Sequence, residues 1–161
     1  MAVIIDGKAV SAALREEIKN ESAAFENKTG IKPGLAVIIV GEDPASQIYV
    51  RNKAKACDEV GFYSEVHRLP ESTTEEELLE LVHSLNKNEK IHGILVQSPL
   101  PKHLDEALIV NNIDYNKDVD AFHPVNVGKI MIGDYNFLPC TPAGVMELLK
   151  AYSIDVTGKE V

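Results

Sequence analysis

Cysteine is scarce in this chain of 161 residues: Cys57 and Cys140 lie far apart, outside any CxxC pair or Cys/His cluster. Neither a disulfide nor a zinc framework is signalled, and both are read as reduced thiols. The five histidines, His67, His83, His92, His103 and His123, form no His-x-x-x-His pair, so no metal is expected. No apolar run approaches the roughly 20 residues that cross a bilayer. The opening residues, Met1 to Asp6, lack the charged start and long apolar stretch of a signal peptide, which predicts a cytoplasmic protein without a membrane partner. Positive charge is also in short supply. With 16 Lys and Arg against 25 Asp and Glu, the formal net charge is -9 and the pI is near 5.0, which argues against a nucleic-acid partner. Three motifs are missing as well: the GxxxxGK[ST] phosphate loop, GxGxxG after a strand, and the GxSxG nucleophile elbow. A response-regulator-like receiver would need paired acids after its first strand, whereas Val40 is followed by Gly41-Glu-Asp-Pro44.

What is present suffices for one substantial core, since 45% of the residues are apolar. Residues 8–27 carry Ala9, Val10, Ala13, Leu14, Ile18 and Phe25 among charges, which predicts an amphipathic helix ended by Lys28-Thr-Gly30. Leu35 to Val40 is a continuous, β-branched run between Gly34 and Gly41, as a parallel strand covered on both faces requires. Pro44 opens a helix over 45–60 that Gly61 ends, and a second strand runs from Tyr63 to Leu69. Ser72-Thr73-Thr74 before Glu75-Glu76-Glu77 offers capping boxes in two registers to a helix striped by Leu78, Leu81, Val82 and Leu85. Ile94 to Gln97 is a third strand. This βαβαβ rhythm predicts an α/β fold, a mainly parallel sheet with helices on both faces in three layers, α/β/α.

Further on, Ser98-Pro-Leu-Pro101 reads as a rigid loop, 104–112 as a short helix and Asp118 to Phe122 as a short edge element. Thr141 is expected to N-cap a helix with Pro142 in its first turn, reaching about Tyr152, and Val156 to Val161 read as the start of a new strand. Loops at the strand ends should hold the site.

Helix 45–60 carries the first candidate chemistry. At about 100° per residue, Ala45, Tyr49, Val50, Ala56, Cys57 and Val60 share an arc of roughly 140° with Lys53 in its middle. Gln47, Arg51, Lys55, Asp58 and Glu59 take the opposite side. Tyr49 lies one turn before Lys53, so the two project together. An ammonium on a half-buried face loses hydration, which favours its neutral form and suits it to donate and accept protons. The competing reading is that Lys53 snorkels to water and Tyr49 fills core space. Gln97 ends an apolar strand, where it either caps the strand or offers a neutral amide to a lysine. Asp118 and Asp120 lie on one face if their segment is extended. A carboxylate there accepts two parallel hydrogen bonds well, as from the amino-pyrimidinone edge of a pterin; a turn or a divalent-cation pair fits the same spacing.

Four segments in order carry a resemblance over nearly the whole chain: Gly41 to Cys57 (GEDPASQIYVRNKAKAC), Gly93 to Pro101 (GILVQSPLP), Lys117-Asp-Val-Asp120 with Phe122 to Gly128, and Pro139 to Gly144 (PCTPAG). Together they resemble the bifunctional methylenetetrahydrofolate dehydrogenase/methenyltetrahydrofolate cyclohydrolase family. The resemblance implies an N-terminal α/β catalytic domain, here residues 1–150, with 151–161 a linker into a Rossmann-type cofactor domain that is absent from this sequence. It implies oxidation of methylene-tetrahydrofolate by NAD or NADP, bound by the absent domain, and hydrolysis of the methenyl product to formyl-tetrahydrofolate. Carried over to this chain, the catalytic residues are Lys53 as general acid/base, Gln97 tuning it and Tyr49 placing it. Substrate would be held by Tyr49, Gln97, Pro99, Leu100, Pro101 and Asp120, with Asp120 gripping the pterin edge.

The partners implied are tetrahydrofolate derivatives, with a homodimer for the full-length enzyme and a monomer with an exposed former domain face for this chain. Members usually carry Gly after the second Asp, where this chain has Ala121, so a positive φ there would strain the loop that aims Asp120. The chain alone should lack dehydrogenase activity and retain at most weak hydrolysis. Two other readings predict different behaviour: a folate-binding half without turnover, and an unrelated α/β interaction domain that binds no folate.

Overall fold

A computed structural model describes residues 3–160 of the chain. Helix α1 (Gly7–Thr29) starts where the Asp6 carboxylate accepts the N–H groups of Lys8 and Ala9, and it stops at Gly30, whose φ of 72° an L side chain resists. Strand β1 (Gly34–Val40) leads to α2 (Pro44–Val60), with the Asp43 side chain on Ser46 N and Pro44 in the first turn. Strand β2 (Tyr63–Leu69) is followed by α3 (Glu75–Lys87), where the box forms in one register: Thr74 caps Glu77 and Glu77 returns to the Thr74 N–H. Strand β3 (Gly93–Val96) and α4 (Glu106–Asn112) complete the alternating part, and α5 (Pro124–Ile132) and α6 (Cys140–Ala151) follow.

The sheet is parallel, in the order β2-β1-β3. Side-chain alternation along β1 builds two cores. Val37 and Ile39 pack with Val50 of α2 and Leu95 on one face. Ala36, Ile38 and Val40 pack with Leu78, Val82 and Leu85 of α3 and with Ile109 of α4 on the other. Helix α1 lies on α2, joined by the Arg15–Glu59 pair at 2.9 Å, and Tyr152 beyond α6 accepts the Asp6 N–H at 2.8 Å. The three-layer arrangement is therefore the expected one. Among the described residues no helix is long and apolar enough to cross a membrane.

Four expectations change. Residues 118–122 do not form a strand: Asp118 makes a single bridge to Ile94, and the chain then turns through Ala121 at φ 57°. Ala121 does take the positive φ, and its methyl is buried, so the loop holds a conformation costing an L residue about 1–2 kcal/mol. Helix α5 was not expected, although Pro124 in its first turn and Gly133 at φ 77° punctuate it as Pro44 and Gly61 do α2. Thr141 is not an N-cap. Pro139, with φ −53° and ψ 127°, already sets the start of α6 two residues earlier, with no side-chain cap. Residues 156–160 turn rather than extend, with the Thr157 N–H on Asp155; Val161 lies outside the described residues. Met131 and Ile132 of α5 are 82% and 77% exposed, and Val127 of α5 and Val145 and Met146 of α6 are exposed as well.

Candidate active site

Strand β3 delivers Gln97 to the site. Its backbone N–H still donates to Ile38 O at 2.8 Å, so the residue is fixed by the sheet although it lies just past the strand. Its side-chain Nε2 donates to Ser98 O at 2.8 Å, which turns the amide oxygen outward. Lys53 of α2, half-buried, donates from Nζ to that Oε1 at 3.1 Å. The start of α2 is held to the same loop, because buried Ser46 donates from Oγ to Ser98 O at 3.4 Å. Two residues 44 apart in sequence thus meet because α2 and the end of β3 are both anchored at Ser98.

Lys53, Gln97, Tyr49, Asp120 and Cys140 line one open cavity of about 890 Å³, whose apolar wall includes Leu95, Val119 and Phe137. Burial holds the Asp120 carboxyl above the usual carboxylate range; the Lys53 charge opposes this and the Asp118 charge adds to it. Partial desolvation also pushes the Cys140 thiol up, with Asp120 adding to the shift and Lys53 opposing it. Neither Cys140 nor Thr141 was expected at the site; both line the cavity. Their signal was a small polar pair just after a proline at a helix start, where side chains project toward the strand ends.

The expected arc of α2 divides in two. Val50, Cys57 and Val60 are buried in the domain, whereas Ala45 is exposed and Tyr49 is 62% exposed at the cavity rim. Tyr49 fills no core space. Pro99, Leu100 and Pro101 are not among the residues lining this cavity; Leu100 packs against the α3/α4 core instead. Asp118 does not share the cavity with Asp120. It is buried, and its Oδ2 accepts His123 N at 2.8 Å and Asn126 Nδ2 at 2.9 Å. Lys117 is structural too, donating to Leu85 O and Asn88 O at the end of α3.

Among the described residues no group of three or more His, Cys, Asp or Glu could hold a metal ion. The first N–H groups of α2, α3 and α4 are occupied by Asp43, by Thr74 with its acidic run, and by Asp105.

A group whose folded pKa is raised binds its proton more tightly when folded, so its contribution falls as pH rises through that value. Asp120→Asn is therefore expected to melt above the native chain at pH 7, with the difference vanishing below about pH 4, where the carboxyl is protonated in both states. Thermal melts across that range check it; a variant melting below the native chain at pH 7 would contradict it.

A lysine bonded to an amide and a desolvated carboxyl thus face one cavity of a parallel α/β domain. Residues 5–120 match the family described as tetrahydrofolate dehydrogenase/cyclohydrolase, catalytic domain, and the chain belongs to it. It is 60% identical over 159 residues to the "Bifunctional protein FolD" of Acetivibrio thermocellus, covering 99% of this chain and 55% of that protein. The crystal structure of the bifunctional enzyme FolD from Campylobacter jejuni superposes with a TM-score of 0.91 at 53% identity, over 96% of this chain and 55% of that one. The Trypanosoma brucei enzyme, solved with NADP cofactor and an inhibitor, gives 0.93 at 42% identity, over 98% and 54%. The chain spans just over half the length of the relatives it matches.

Proposed function

We propose that residues 1–150 form the folate site of a methylenetetrahydrofolate dehydrogenase/methenyltetrahydrofolate cyclohydrolase, with Lys53 as its general acid/base. The observation that carries this reading is the 3.1 Å bond from Lys53 Nζ to Gln97 Oε1 in the cavity that also holds Asp120. Gln97 accepts a hydrogen bond from either protonation state of Lys53 and adds no charge, so it orients the amine without fixing its proton. In hydrolysis, water adds to the methenyl carbon and gives up a proton to the neutral amine. The bond from that carbon to one ring nitrogen then breaks as the new hydroxyl releases its proton to solvent and becomes the formyl oxygen, and Lys53 returns its own proton to the departing nitrogen. Tyr49, open at the rim, offers a stacking surface, and Asp120 accepts paired N–H groups from the pterin edge.

Hydride transfer requires a nicotinamide held against the folate carbon, and no step of it is assigned to these residues. A chain of these 161 residues is expected to hydrolyse methenyl-tetrahydrofolate slowly and not to reduce NAD(P)⁺. The reading is tested by calorimetric titration with tetrahydrofolate. The chain should bind it, and Asp120→Ala should bind about 10–150-fold more weakly, the loss expected for charged hydrogen bonds. No binding, or equal binding by the variant, would overturn the assignment.

A further inference from the structure

Two buried polar residues beside the cavity do not line it. Asn126, 3% exposed in the first turn of α5, donates from Nδ2 to Asp118 Oδ2 at 2.9 Å and to Tyr115 O at 2.8 Å. Asp118, 2% exposed, forms no salt bridge among the described residues, and the same Oδ2 accepts His123 N at 2.8 Å. A buried carboxylate without a cation costs several kcal/mol unless donors surround it, so these contacts hold the loop geometry firmly. The Asp118-to-His123 bond closes a short loop that carries Asp120 and the positive-φ Ala121. Its start is pinned to the sheet, since Ile94 N donates to Lys117 O at 2.7 Å and Asp118 bridges Ile94. Val119 lies over Gly93, where a Cβ would come within 2.5 Å of Val119 Cγ1. The loop is therefore seated on the sheet at one end and tied to α5 at the other, with Val119 and Asp120 facing the cavity between.

We infer that Asn126 is a positioning residue: through Asp118 it fixes the loop that aims Asp120 into the cavity. The inference rests on the folate-site reading for its functional meaning, and on the hydrogen bonds alone for its structural one. It assigns α5 a role in substrate affinity although Asn126 touches no substrate.

The test is a double-mutant cycle on the full chain with tetrahydrofolate as the probe. Asn126→Leu should weaken binding at least tenfold, yet have little further effect in an Asp120→Ala background, because both changes disable one group. Asp118→Asn keeps an oxygen for both donors and should bind within a few-fold of the native chain. Equal losses in both backgrounds, or native affinity in Asn126→Leu, would overturn the inference; a general packing defect adds in both. If Asn126→Leu does not fold, Asn126→Ser replaces it. Should Asp120→Ala bind as tightly as the native chain, the folate-site reading fails, and amide exchange decides the rest. Exchange at 119–123 should then accelerate at least tenfold in the Asn126 variant while α2 and the sheet stay protected; unchanged protection would refute the positioning role.

Discussion

Replacing Lys53 by Met is expected to slow methenyl-tetrahydrofolate hydrolysis by the chain about 10²–10⁴-fold, to the buffer background, because a positioned general acid/base contributes that much. Methionine keeps the length of the side chain and removes the amine, so the wall of the cavity survives while the group on Gln97 Oε1 is lost. The native rate should itself be modest. The cavity is open and admits bulk water, which weakens every electrostatic contact inside it. The measurement is loss of methenyl absorbance in a weakly catalytic buffer. If native chain and variant match the background alike, these residues bind folate without turning it over. Tetrahydrofolate affinity is the control, since Asp120 and Tyr49 remain in place.

The largest loss of stability is expected in β1. Ile38 is fully buried in the central strand, flanked by His67 and Val96 and packed against α3 and α4. Ile38→Ala should cost about 2–5 kcal/mol, the transfer term plus the cavity left behind. That is a large part of the roughly 5–15 kcal/mol that holds a typical domain folded. At this size the melting midpoint should fall by roughly 5–20 °C. Ile48→Ala on α2, where the side chain is 49% exposed, should change stability by less than about 0.5 kcal/mol. Parallel urea titrations separate the two; similar midpoints would contradict the two-core description.

Where local pattern and fold agree, the chain could be read directly. The apolar run at 35–40, the Pro44 and Gly61 punctuation of α2 and the Thr74–Glu77 box each fix an element without distant partners. The candidate site was legible to the extent that its residues lie at element ends: Lys53 on a helix face, Gln97 after a strand. Their meeting depends on Ser98 holding both elements, which no spacing encodes. The α2 wheel identified a side of the helix but not what stood opposite it, so it could not by itself decide whether Tyr49 fills core space or, as the structure has it, lines the cavity. Helix α5 is built from Val125, Val127, Ile130, Ile132 and Gly128, poor helix formers whose pattern hides the element. Residues 118–122 alternate like a strand, yet the buried Asp118 carboxylate bends them into a loop by gathering donors from His123 and Asn126. That is a tertiary effect, invisible to periodicity.

The bare apolar side chains of α5 and α6 set the colloidal behaviour of the chain. Each copy carries a formal charge of -9, and in dilute buffer that repulsion keeps Met131 and Ile132 of one molecule from reaching those of another. Raising the ionic strength to 1 M shrinks the reach of the repulsion to about 3 Å and leaves the apolar attraction intact. Added salt is therefore expected to act on this protein as a precipitant, which light scattering across a salt series would check.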